Sequence, residues 1–259
     1  MSGFDPSSGA GITADLKTIA AHGCYGVGCI TALTVQSTAG VRRVAPVAGE
    51  LIRQSFDELA SDLTLAAIRI GMLGSAEAAS AVAACVERSA GIPVVLDPIL
   101  VSSSGAALLD AGGVQVLKDR LLAWASVVTP NLDEAEVLTG LKVRDLQQMR
   151  RAAVALREMG ARAAVVKGGH LEGDETVDLL LDREGFHELR GERIRSRATH
   201  GTGCAFATAL ACNLALGLGL PAATARAKEY VRRAIVNAYP LGRGKGPMNH
   251  LFPLEKPFV

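Results

Sequence analysis

Residues 201–204, Gly-Thr-Gly-Cys, stand directly before a run of small and apolar residues with helical character. Glycines at such a helix start permit a tight turn and leave backbone N–H groups free to meet an anion, so Gly201, Thr202 and Gly203 form a candidate phosphate cradle. Cys204 falls at the positive end of the helix dipole, where a thiolate is favoured and a lowered pKa is expected. That makes Cys204 a candidate base or nucleophile. The same tetrapeptide also reads as a glycine-rich turn holding a small buried thiol, and the Gly-Lys-Ser/Thr ending of a Walker A loop is missing.

Asn131 and Glu134, in Thr-Pro-Asn-Leu-Asp-Glu from residue 129, lie three apart at the start of a short helix. An amide and a carboxylate on one side suit a hydrated Mg²⁺ bridged to phosphate, whereas the bland alternative is a capping box. The glycine-rich segment 3–11 leads into a helix with Asp15 read in its first turn. There an acid either hydrogen-bonds a polar ring substituent or compensates the helix dipole. Gln36 and Met72 would give a small aromatic ligand an amide handle and an apolar wall; otherwise Gln36 is surface and Met72 core. Asp97 ends one apolar run, within reach of a metal or a phosphate-side water. Lys167, ending another before Gly168, Gly169 and His170, would offset phosphate charge while the glycines pass close to a nucleotide. His170 and His200 are the histidines nearest these loops and read either as reactive groups or as ordinary hydrogen-bonding residues. His22 and His187 are assigned nothing.

Five short apolar, β-branched runs (27–33, 67–72, 93–97, 126–129 and 163–167) predict buried parallel strands. Segments with three- and four-residue apolar spacing (12–22, 50–63, 76–88, 114–124 and 146–159) predict amphipathic helices between them. Alternation of this kind builds βαβ units, hence an α/β fold with a mostly parallel sheet covered on both faces. Residues 177–181 and 186–189, joined by Asp-Arg-Glu-Gly, predict an antiparallel hairpin. Helices are expected from 203 to 216 and from 221 to 238, and the last twenty residues are read as loop. Ligands of open parallel sheets bind beyond the carboxyl ends of the strands, which is where the candidate residues fall.

The chain has 259 residues, 49% hydrophobic and 4% aromatic, enough for one large aliphatic core and a single domain over 1–259. With 27 Lys plus Arg against 26 Asp plus Glu, no global field draws it to nucleic acid or to anionic membranes. Five cysteines without a CxxC pair indicate neither a disulfide framework nor a zinc site, and a reducing cytoplasmic location is expected. No stretch resembles a signal peptide or a membrane span.

Taken in order, these segments resemble the ribokinase-like superfamily, and within it the hydroxymethylpyrimidine/phosphomethylpyrimidine kinases of thiamin biosynthesis. The resemblance is carried by Gly3-Phe4-Asp5-Pro6-Ser7-Ser8-Gly9-Ala10-Gly11-Ile12 with Ala14-Asp15-Leu16-Lys17, Thr31-Ala32-Leu33-Thr34-Val35-Gln36, a basic residue before Ile70-Gly71-Met72-Leu73, and Val95-Leu96-Asp97-Pro98. It continues through the Asn131, Lys167 and Gly201 segments to Gly246-Pro247-Met248-Asn249-His250. It implies ATP- and Mg²⁺-dependent phosphorylation of 4-amino-5-hydroxymethyl-2-methylpyrimidine and then of its monophosphate. Cys204 would accept or help position the hydroxymethyl proton, and residues 201–204 would hold the transferring phosphoryl group. Asn131 and Glu134 would hold Mg²⁺, while Lys167, Gly169 and Asp97 would serve the nucleotide side. Asp15 and Gln36 would hydrogen-bond the aminopyrimidine, and Ala10 and Met72 would line its ring. A homodimer is also implied.

Two related readings compete: a pyridoxine or pyridoxal kinase of the same superfamily, which shares the Gly-Thr-Gly-Cys ending, and a non-catalytic pyrimidine-binding protein. Phe4 and Ser8 stand where the family carries a small polar residue and a glycine, so a different path is expected for the first loop. The family also carries an apolar strand ahead of that loop, and here the first strand is expected to be missing, either because the true start lies upstream or because the chain is truncated.

Overall fold

The computed structural model describes residues 1–102, 105–169, 171 and 173–254. Among the described residues nine strands run β1 (Ser2–Phe4), β2 (Ile30–Ser37), β3 (Gly40–Pro46), β4 (Ile68–Ile70), β5 (Val94–Leu96), β6 (Val127–Val128), β7 (Ala164–Val166), β8 (Glu175–Leu181) and β9 (Phe186–Glu192). β4 to β7 pair in parallel, and β8 and β9 add antiparallel to the edge. β1 pairs in parallel with β2, which pairs antiparallel with β3. Two backbone contacts beside β1, Met1 N–H to Arg69 O (2.7 Å) and Gly71 N–H to Met1 O (2.9 Å), join the two groups of strands. The order across the molecule is therefore 3-2-1-4-5-6-7-8-9.

The interior strands are apolar on both sides because both faces are covered. Val94 and Leu96 of β5 face one core and Val95 the other, and β7 divides likewise with Ala164 and Val166 against Val165. The first core is closed by α2 (Gly49–Asp62), α3 (Ala76–Glu87), α6 (Leu132–Thr139) and α7 (Leu146–Glu158). A broken helix joins them: α4 (Ala111–Val116), a π-helical turn over Leu117–Leu121, and α5 (Leu122–Trp124). The second core is closed by α8 (Thr202–Ala215) and α9 (Leu220–Val236), with α1 (Gly11–Ala21) packed on α8. α8 is apolar around its whole circumference because the sheet, α1 and α9 enclose it.

The predicted alternation of strands and helices holds, with two corrections. The run 27–33 is not a fully buried parallel strand: β2 begins at Ile30, continues to Ser37, and leaves Leu33 and Val35 about half exposed. Its partner β3 escaped the sequence reading because the paired arginines Arg42 and Arg43 break the period-two pattern. The chain opens with β1, three residues long, at the start of the first loop. Smaller shifts occur at 114–124, where the helix starts earlier on an Asp110 cap, and at Phe252–Leu254, a 3₁₀ turn inside the segment read as loop.

Candidate active site

The carboxyl ends of β1, β4, β5, β6 and β7 open into one cavity of about 590 Å³. Its wall includes Ala10, Gln36, Met72, Asp97, Asn131, Glu134, Lys167 and residues 201–204. Two candidates are elsewhere. Asp15 lies behind the wall with both oxygens engaged, accepting from Arg69 Nη1 (2.9 Å) and Thr208 Oγ1 (2.7 Å). Nor is it in the first turn of α1, where no acid is found; its job is to neutralise a buried guanidinium. Gly169 is exposed, and its carbonyl accepts from Arg193 Nη1 (2.7 Å). His170 lies outside the described residues.

The turn at residues 201–203 has the conformation its glycines suggested. Gly201 takes φ 79° as the N-cap of α8, a left-handed conformation that glycine adopts without strain. A Cβ there would stand 1.9 Å from Gly9 O, and a Cβ on Gly9 would stand 2.2 Å from His200 Cδ2. The first loop and the cradle thus touch backbone to backbone. A Cβ on Gly203 would lie 3.1 Å from Lys167 Nζ, so the ammonium sits against the helix start. Ser8 has φ 58°, so the loop bends through a glycine-like conformation with a serine in place.

Behind the cradle runs a chain of buried charges. Arg69 gives Nη2–H to Asp97 Oδ2 (2.9 Å), and Lys167 Nζ gives to Asp97 Oδ1 (2.9 Å). Thr129 Oγ1 gives to the same Oδ1 at 3.2 Å. Burial opposes ionisation of Asp97, but Lys167 and Arg69 outweigh it and hold the carboxyl below its usual value. Lys167 is likewise opposed by burial, and Asp97 and Glu134 keep it charged. Asn131 Oδ1 accepts from Glu134 N–H and Glu134 Oε2 from Asn131 N–H, both at 2.8 Å, so the capping box is real. Burial, reinforced by Asp97, nevertheless pushes the Glu134 carboxyl up to about 7 against the pull of Lys167. Three acids (Asp15, Asp97, Glu134) share this buried region with the bases Arg69 and Lys167 and with the Met1 ammonium, so the charge of each depends on its neighbours.

Cys204 departs from expectation. Its thiol is 7% exposed, and burial pushes its pKa up, with Arg69 pulling the other way. Desolvation outweighs the helix dipole. Two participants were not singled out by residue chemistry: Arg69, visible only as a basic residue before Gly71, and Asp5, which accepts from Ser7 N–H (2.8 Å), Ala10 N–H (2.9 Å) and His200 Nε2 (2.8 Å). A polar residue followed by small residues in a glycine loop was the available signal for Asp5.

A cavity beyond parallel strands, with a buried ammonium against a glycine-opened helix, defines a ribokinase-like α/β phosphotransferase. Solved structures agree: the ADP complex of Bacillus subtilis pyridoxal kinase matches with TM-score 0.88 and 31% identity over 96% of this chain and 95% of that one. The phosphomethylpyrimidine kinase of Clostridium difficile matches with TM-score 0.79 and 33% identity over 90% and 96%. The family model for phosphomethylpyrimidine kinase matches residues 5–249. The chain belongs to that family. The hydroxymethylpyrimidine/phosphomethylpyrimidine kinase of Streptomyces coelicolor is 46% identical over 96% of this chain and 92% of its own length. The thiamine biosynthesis bifunctional protein ThiED of Geobacter sulfurreducens is also 46% identical, and the chain spans about half of it (52%). No helix among the described residues is long and apolar enough to cross a membrane.

Proposed function

We propose that the protein transfers the γ-phosphoryl group of ATP to the hydroxymethyl oxygen of 4-amino-5-hydroxymethyl-2-methylpyrimidine, and then phosphorylates the monophosphate, supplying thiamin biosynthesis. The observation that carries this reading is Gln36 on the same cavity wall as the Gly201 cradle, with Ala10 and Met72 beside it. The amide meets the ring, the apolar groups flank it, and the hydroxymethyl group reaches toward Cys204. The acceptor oxygen attacks the phosphorus, its proton passes to the Cys204 thiolate, which burial makes the minor form at neutral pH, and ADP leaves. Lys167 and the N–H groups of Gly203 and Cys204 that open α8 stabilise the charge on the moving phosphoryl group. Asn131 and Glu134 fit a hydrated Mg²⁺, because a buried acid held near neutrality is what a divalent cation would discharge. When bound, the ion neutralises phosphate charge. Residues 1–259 act as one domain, Gly169 and Asp97 serve the nucleotide side, and the enzyme works as a cytoplasmic homodimer.

Pyridoxal is the second reading, favoured by the higher TM-score of the pyridoxal kinases. Incubation with ATP, Mg²⁺ and each alcohol, followed by mass spectrometry, decides between them. Addition of one phosphate and then two to the pyrimidine supports the assignment; faster turnover of pyridoxal overturns it.

A further inference from the structure

We infer that His200 sets the hydrogen-bond polarity of Gln36, so that the protein meets its ligand there with an N–H donor and selects a ring presenting an unprotonated nitrogen. The identity of the ring rests on the proposed pyrimidine chemistry. The polarity follows from the protein's own groups.

His200 is 9% exposed, and its Nε2 lies 2.8 Å from Asp5 Oδ2 and 3.1 Å from the amide nitrogen of Gln36. The ring is hemmed in, since Gly9 packs so closely on its Cδ2 edge that no side chain fits between. Burial works against charge on Asp5, yet hydrogen bonds from His200 and Ser7 hold its carboxyl below the usual range. A carboxylate only accepts, so His200 Nε2 carries a hydrogen and donates it to Oδ2. An Nε2–H cannot also accept from an amide N–H, and two donors 3.1 Å apart are incompatible. Turning the Gln36 amide over removes the conflict. Its Oε1 then faces Nε2–H, and its NH₂ group faces Thr34 Oγ1, 3.4 Å from that end of the amide. Thr34 gives its own hydrogen to Phe4 O (2.9 Å), so its oxygen is an acceptor. One amide hydrogen goes to Thr34 and the other remains for the cavity that all three residues line. The irregular register at Val35/Gln36 in the β2–β3 pair gives the re-aimed side chain its local bend. His200 is in this sense a positioning residue that acts through Gln36.

Two measurements test this. The first is the long-range ¹H–¹⁵N spectrum of the histidine rings in the full-length, ligand-free protein at neutral pH, with His200 assigned by comparison with His200→Asn. A protonated Nε2 is expected, and a bare Nε2 overturns the inference whatever the substrate. The second compares the KM of the hydroxymethylpyrimidine with those of its two deaza analogues, each with one ring nitrogen replaced by C–H. One analogue should raise KM about tenfold, the worth of one hydrogen bond, with a smaller change in kcat. In His200→Asn and in Gln36→Leu that discrimination should shrink to about twofold or less. A purely structural role for His200 would slow all three compounds alike and refute the assignment, as would equal KM values in the wild type. If His200→Asn does not fold, His200→Gln supplies both the ring assignment and the comparison, and Gln36→Leu still tests the amide. Failure to phosphorylate the parent pyrimidine would instead remove the proposed function, and the ring spectrum would still decide the polarity.

Discussion

Glu134→Gln removes one negative charge from the buried cluster while keeping the helix cap, because a glutamine Oε1 still accepts the Asn131 N–H. In the folded protein, burial and Asp97 lift the carboxyl from the ordinary 4.5 to about 7. Below 4.5 the group is protonated whether the chain is folded or not, and it costs nothing. Between there and about 7 the unfolded chain has released its proton and the folded one has not. Above about 7 both are ionised and the folded protein carries the full cost, at most about 3 kcal/mol for a displacement of this size. Wild-type stability should therefore fall with rising pH relative to the variant, and the gap should level off above neutrality. Urea unfolding of both proteins at steps from about pH 4.5 to 8.5, at constant ionic strength, measures the gap directly. A difference that does not change with pH refutes the reasoning. Added Mg²⁺ and ATP should narrow the gap by stabilising the wild type and not the variant.

Three further outcomes follow from the geometry. Cys204→Ala should lower turnover at least about a hundredfold, and wild-type turnover should climb with pH because burial holds the thiol above its ordinary 9.0; near-normal turnover in the variant would remove Cys204 as a base. Gly203→Ala places a methyl group 3.1 Å from Lys167 Nζ and should cost about tenfold in kcat with an unchanged unfolding midpoint, since small misplacements of a charge beside a reacting group are expensive. Unaltered kinetics would show that the ammonium is not held against the cradle. Ser8→Gly relieves a serine at φ 58° and should stabilise the fold by about 0.5–1 kcal/mol in calorimetry, whereas a loss would show that the bend is not strained.

Most of the parallel strands were legible because they are buried on both faces and read as unbroken apolar runs, as in Val94–Leu96. β3 was not, since its exposed Arg42 and Arg43 follow solvent and not a core. The cradle could be recognised because Gly201 and Gly203 are demanded by backbone conformation and close contact, which are local requirements. Cys204, Asp15 and Glu134 show the opposite case. Position on a helix suggested a lowered thiol pKa for the first and dipole compensation for the second, but burial and partners from Arg69, Asp97, Lys167 and Thr208 decide their states. Those partners come from distant parts of the chain, beyond the reach of spacing arguments. His200 and Asp5, 195 positions apart, meet for the same reason.

The contact between Gly9 and Gly201 ties the first loop to the glycine turn that opens α8. Neither can shift or gain a side chain without pushing the other. In the proposed reaction, the acceptor and phosphoryl sides of the site are thereby placed relative to each other when the chain folds, and the entropy of bringing them together is lost once, before any ligand arrives. Local opening that frees one loop must free the other. Their amide hydrogens should therefore exchange as one cooperative unit, and activity on warming should vanish in a single step with that unit's opening.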